Sequence, residues 1–136
     1  MYQHILLAVE FGKEVFAAKE KLKQLRYKPH SEISLIHIVE IPMIDHFPEV
    51  KDTESLYIKL AQDQLADIGK ELNVPNENQY VEVGEPKINI PAFIDKHNID
   101  LLVTGHHEKH GITRLLGSTA YALASRVKCD MLTIQY

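Results

Sequence analysis

Hydrophobic and polar positions alternate along this chain between two periods. HILLAV (His4–Val9) is apolar on both alternations and breaks at Phe11-Gly12, a pattern that suits a strand covered on both faces. From Lys13 to Arg26, Val15, Phe16, Ala18, Leu22 and Leu25 recur near helical spacing with charges between them. EISLIHIVE (Glu32–Glu40) predicts a second strand, and the following IPMIDHFPEV, with Pro42 and Pro48, predicts a loop. Thr53 or Ser55 can cap the next helix, on which Leu56, Leu60, Gln64, Ile68 and Leu72 mark one face, ending near Asn73-Val74-Pro75. Gln79–Val83 predicts a third strand closed by Gly84. Pro86 suits the first turn of a helix reaching His97, in which Pro91 invites a kink. Asp100–Gly105 predicts a fourth strand, Leu115–Val127 a last helix, and DMLTIQY (Asp130–Tyr136) a fifth strand.

Strands separated by helices make right-handed parallel crossovers. Five strands and four helices therefore predict an α/β fold: a single open, doubly wound, parallel five-stranded sheet with helices on both faces. No repeat, low-complexity tract or linker divides the chain, so residues 1–136 are expected to form one domain. In such a sheet ligands sit beyond the carboxyl ends of the strands, where strand order reverses. The loops to watch are Glu10-Phe11-Gly12, Ile38-Val39-Glu40, Gly84-Glu85-Pro86 and Gly105 to Ser118.

Composition narrows the function more than the fold. With 45% apolar and 25% charged residues the chain has the make-up of a globular protein. A formal charge of -4 argues against a general nucleic-acid binder, which shows a basic face. MYQHILLAVE has no basic leader, and nothing approaches the ~20 apolar residues of a membrane span. The expectation is a cytoplasmic protein with no membrane partner. Cys129, the only cysteine, excludes an internal disulfide and abuts the last apolar run as a small core residue.

Several stretches together resemble the universal stress protein family, most closely its A branch. YQHILLAVE is similar to the family's first strand with its terminal acid and SLIHIV to its second. VGEP is similar to its third-strand turn, and IDLLVTG followed later by GST to its nucleotide loop. GHH after the fourth strand and DMLTI in the last are similar to the A branch. The resemblance spans nearly the whole chain in order. It implies strand order 3-2-1-4-5, a cytoplasmic homodimer, and a role in stress survival through protein partners the sequence does not name, without established catalysis.

ATP binders of that family carry Gly, two residues, Gly, nine residues, Gly, then Ser or Thr. Gly105 and Gly117-Ser118 fit the outer positions, but eleven residues separate the two glycines where the pattern requires twelve. Counting forward the middle glycine falls on Glu108; counting back it falls on His107. Glycine is needed there because backbone N–H groups must approach the phosphates closely, with positive φ allowed. A carboxylate about 4 Å from a phosphate charge costs up to about 4 kcal/mol at an effective dielectric of about 20. Lys109 and Arg114 offset part of that. If ATP binds, the resemblance implies that Ala8, Val9, Glu10 and Ile38 border adenine and ribose. Gly105, Gly117, Ser118 and Thr119 would then receive phosphates, helped by N–H groups of a helix starting near Ser118.

His106, His107 and His110 with Glu108 suggest zinc, but zinc proteases use H-E-x-x-H with histidines four apart on a helix. Here His107 and His110 are three apart in a predicted loop. No metal site is expected, and His37, inside strand two, reads as a hydrogen-bonded core histidine. Ser118 and Thr119 have three open readings: helix caps, phosphate contacts or phosphorylation targets. No Ser-His-Asp or Cys-His arrangement emerges, so no catalytic residue is assigned and no enzyme is expected. In the strand order the resemblance implies, Met131, Leu132, Thr133, Ile134, Gln135 and Tyr136 form an apolar edge. An antiparallel pairing with a second copy across a two-fold axis covers it.

Overall fold

The computed structural model of the chain describes residues 2–12, 14–25, 30–41, 51–106 and 113–135. In order these form β1 (His4–Ala8), α1 (Glu14–Leu25), β2 (Glu32–Val39), α2 (Lys51–Leu72), β3 (Gln79–Val83), α3 (Pro86–His97), β4 (Leu101–His106), α4 (Thr113–Arg126) and β5 (Asp130–Gln135). All strand pairings are parallel, in the order β3-β2-β1-β4-β5. This is the doubly wound sheet and the strand order that the sequence reading led to.

Alternation along the central strands feeds two cores. Ile5, Leu7 and Val9 point into one with Val15, Ala18 and Leu22 of α1 and Leu65 and Leu72 of α2. Leu6 points into the other with Ile36, Ile38, Ile90, Phe93 and Ile94 of α3 and Leu123 of α4. Leu7 lies beside Leu35 on one side and Val103 on the other, so β1 is apolar from Ile5 to Ala8 because it is covered on both faces. At the amino edge of the sheet the Asp100 carboxylate accepts the N–H groups of Gln3 (2.8 Å) and His4 (3.0 Å). That clamps the start of β1 to the start of β4.

Two helices differ from the sequence reading in instructive ways. In α1, Phe16 is 68% exposed, because the buried positions Val15, Ala18 and Leu22 follow the helical period and Phe16 lies about 100° from Val15. In α2 the series Leu56, Leu60, Gln64, Ile68 and Leu72 is not one face. Each step of four residues overshoots a full turn by about 40°, so four steps carry Leu56 about 160° away from Leu72. The buried series is Ala61, Leu65 and Leu72, with Ile68 packed against it, while Leu56 (54%) and Leu60 (51%) are exposed.

Pro91 does sit inside α3, which nevertheless runs unbroken from Pro86 to His97. Proline removes the N–H that would bond the Lys87 carbonyl. Arg126, at the end of α4, donates its Nη1 to that carbonyl at 3.2 Å and fills the gap. Asn98 then ends α3 in the left-handed region (φ 54°), with its N–H on the Ile94 carbonyl.

Candidate functional site

The strands present their carboxyl ends on one edge of the sheet. A cavity of about 370 Å³ opens there between α3 and α4, lined by Glu40, Glu85, Pro86, Lys87, Thr119 and Ala122. Glu40 follows β2 directly, and Glu85-Pro86 form the turn from β3 into α3.

The β3–α3 turn owes its shape to Gly84 and Asn89. Gly84 has φ 152°, and its N–H reaches the Val39 carbonyl at 3.0 Å. Asn89 Oδ1 accepts the Glu85 N–H (3.1 Å), while its Nδ2 donates to Glu82 Oε1 (3.2 Å) and the Val83 carbonyl (3.3 Å). One amide thus satisfies three groups of the turn and takes over the capping that the Glu85 side chain does not provide. Lys87 Nζ stands 3.8 Å from Glu85 Oε2 in an exposed pair, which adds little stability. Lys87 and Asn89 escaped the sequence reading. The only signal for Asn89 was an amide lodged between Ile88 and Ile90 in the first turn of a helix.

The β1 end is held from the opposite side of the sheet. Val9 N–H makes the last ladder bond, to the Ile36 carbonyl (2.9 Å), and the Val9 carbonyl accepts His37 Nδ1 at 2.6 Å. The ladder stops at Ala8, one residue earlier than the apolar run suggested, because a side chain takes the carbonyl that a further rung would use. Phe11 follows in the left-handed region (φ 60°), its ring 4.1 Å from that of His37. A second cavity, about 420 Å³, lies on this side, lined by Phe11, His37, Val39, Glu40, Tyr57, Leu60, Ala61 and Gln64. Glu40 borders both cavities. His37 is hydrogen-bonded within the fold, as its position in a core strand led us to expect.

The residues proposed to border a nucleotide do not all converge. Ala8 and Ile38 (8% exposed) pack on the α3–α4 side. The Val9 side chain, 2% exposed, packs on the α1–α2 side, so only its backbone is within reach of a ligand beside Ile38. Glu10 is exposed, Gly105 is half-buried near the end of β4, and Thr119 lines the first cavity.

Gly117, Ser118 and Thr119 differ most from expectation. Helix α4 begins at Thr113, two residues before the Leu115 start that the periodicity predicts and five before the start near Ser118 that the nucleotide-loop resemblance used. These three therefore lie in its second turn. The first four N–H groups of a helix are the ones without internal partners. Ser118 and Thr119 thus lie five and six positions after the first residue of α4.

His106 ends β4, and His107, Glu108 and His110 lie outside the described residues. Among the described residues no three His, Cys, Asp or Glu side chains gather as a metal site, and no helix is long and apolar enough to cross a membrane. β5 forms an open edge of the sheet. Thr133 and Gln135 are exposed, Met131 and Leu132 are half-buried, Ile134 is buried, and Tyr136 lies outside the described residues. Cys129 is half-buried against the α3–α4 core. Burial pushes its thiol up from its ordinary value, against the lowering effect of a hydrogen bond from the Leu102 backbone.

Comparisons with known proteins agree with this architecture. The model of the universal stress protein family matches residues 1–135. Universal stress protein A homolog 2 of Coxiella burnetii is 31% identical over 125 residues, covering 85% of this chain and 82% of that protein. Among solved structures, hypothetical protein MJ0577 superposes with a TM-score of 0.84 at 21% identity, covering 100% of this chain and 97% of the other. A universal stress protein in complex with cAMP gives a TM-score of 0.71 at 20% identity, with 98% and 97% covered. At these identities the structural likeness speaks to the fold alone.

Proposed function

This chain belongs to the universal stress protein family, and from that premise we propose that it is a non-enzymatic, dimeric stress-response and signalling module of the cytoplasm whose nucleotide loop is degenerate. The observation that carries this reading is the start of α4 at Thr113. An ATP loop of the family's pattern needs the amides of Gly117, Ser118 and Thr119 free at a helix mouth, and within α4 they are internal. The missing central glycine and the carboxylate of Glu108 act in the same direction. The residues present therefore do not fit a tightly held triphosphate, and no reaction step is derived through one. Taking about 1 μM for an intact site, a penalty of about 4 kcal/mol moves ATP affinity to about 1 mM.

A second reading, a nucleotide-dependent switch, rests on the cavity of about 370 Å³ at the strand ends and on the relative solved with cAMP. Native mass spectrometry of the purified protein, followed by calorimetric titration with ATP and with cAMP, separates the two. The first reading expects no co-purified ATP and affinity near 1 mM, strengthened at least about tenfold in Glu108→Gly. Stoichiometric ATP in the untreated protein, lost in Gly117→Glu, would overturn it in favour of the switch.

A further inference from the structure

We infer that His37 is a positioning residue for the ligand edge of the sheet, acting across β2 to fix the backbone turn Val9–Glu10–Phe11. The inference deepens the switch reading, since it rests on the strand ends being the ligand site. It starts from an alternation. Ile38 points toward the α3–α4 side, where the cavity with Glu40, Glu85 and Thr119 opens. His37, its neighbour, points the other way, yet it grips the chain segment that both sides share.

Three contacts make the grip. Val9 N–H is held by the Ile36 carbonyl at 2.9 Å and the Val9 carbonyl by His37 Nδ1 at 2.6 Å, so both backbone polar groups of Val9 are taken by β2. Phe11 stands at φ 60°, a conformation unfavourable for a bulky L-residue unless its surroundings hold it. The His37 ring, 4.1 Å away, supplies part of that hold. Glu10 lies between the two held residues.

A carbonyl oxygen only accepts, so Nδ1 carries the proton. That is true of the neutral Nδ1–H ring and of the cation alike, and the grip therefore does not depend on the charge of His37. A residue that merely filled core space would need neither the donor nor its position. Asn carries an amide nitrogen close to where Nδ1 sits, whereas Gln carries its amide near Nε2. The two variants therefore separate donor position from polarity.

The test uses the full chain with His37→Leu, His37→Gln and His37→Asn. Amide hydrogen exchange is read at Glu10, Phe11 and Gly12, with Ile5 to Leu7 as the internal reference, and cAMP affinity is read by calorimetry. Losing one buried hydrogen bond is expected to speed exchange of the turn about tenfold in His37→Leu and to weaken cAMP by a similar factor. His37→Asn should restore both to within about threefold of the original protein, and His37→Gln should not. Should His37→Leu fail to fold, His37→Gln provides the broken grip. If cAMP fails to bind the original protein, the switch reading falls, but the exchange pattern still decides the role of His37. Unchanged turn exchange in a folded His37→Leu or His37→Gln, or His37→Asn behaving like leucine, would overturn the inference.

Discussion

At the scale of single residues, what counts is which atom donates and which torsion is allowed. His4 illustrates the first. Its Nδ1 faces the His97 carbonyl at 3.1 Å, so that nitrogen must carry the proton. In the neutral ring Nε2 is then the acceptor for the hydroxyl of buried Ser34 at 2.8 Å. The pair has the look of a nucleophile and its base, yet Ser34 is buried and the pair joins the amino ends of β1 and β2, far from any ligand edge. It is cement between strands. Gly84 illustrates the second. Its φ of 152° is rarely open to L side chains, and a methyl group there would collide with Asn89 Oδ1. Gly84→Ala should lower unfolding free energy by about 2 kcal/mol in urea titrations. Combining it with Asn89→Ala should cost less than the sum of the two, because removing the amide frees the space and leaves only the torsional strain. Strict additivity would mean that the collision contributes nothing.

Secondary-structure elements show where sequence was legible and where it was not. The five strands and four α-helices were visible in the periodicity, because the central strands are apolar on both alternations and helices interrupt each crossover, whereas the short 3-10 turn at Asn76–Asn78 was not. Strand order was not visible there; it came from the family resemblance carried by YQHILLAVE, SLIHIV and VGEP. The faces of α1 and α2 were misjudged at Phe16, Leu56 and Leu60, where apolar residues lie off the period of burial. The cavity at the carboxyl ends of the strands lies where the rule for open parallel sheets directs attention, whereas the backbone contacts of Asn89 and His37 were not legible, since each depends on a turn formed by distant residues. The position of Gly117 depended on where α4 starts, and a shift of two residues from Leu115 to Thr113 moved it deeper into the helix. Pro91 was expected to invite a kink, yet α3 runs unbroken from Pro86 to His97, and the group that serves the freed carbonyl lies 35 positions on in another helix. A double-mutant cycle tests that remedy. Arg126→Ala should cost about 1 kcal/mol in the natural background, where the Lys87 carbonyl depends on it. In a Pro91→Ala background, where the new N–H can take that carbonyl, it should cost under about 0.3 kcal/mol. Equal costs in both backgrounds would show that Arg126 is not serving the proline gap.

For the whole molecule, a five-stranded open sheet has two edges, and they are not equivalent. β3 has α2 packed beside it and carries Glu82 along its five residues. β5 ends the sheet on the other side with exposed Thr133 and Gln135 and half-buried Met131 and Leu132. A strand added to β5 from a second copy would satisfy its outer backbone groups, and a two-fold axis would close the assembly at two. Lysine on an edge opposes such pairing, because identical strands bring identical charges face to face, each such pair disfavoured by about 0.2–1 kcal/mol. Thr133→Lys combined with Gln135→Lys should therefore weaken the proposed dimer about tenfold or more in sedimentation equilibrium. Val83→Lys, at an exposed position on β3, should leave it intact. All three lysines lie on exposed positions, although Thr133→Lys gives up the 3.4 Å contact of its hydroxyl with Thr104, so thermal unfolding of the monomer should change by no more than about 1.5 kcal/mol, separating lost assembly from lost folding. A double-lysine variant as dimeric as the original, or a dimer broken by Val83→Lys instead, would move the interface away from β5. The strand ends that frame the cavity between α3 and α4 would then have to be judged for a different assembly, since a β3-edge dimer brings the Gly84-Glu85 turn, and not α4, toward the partner.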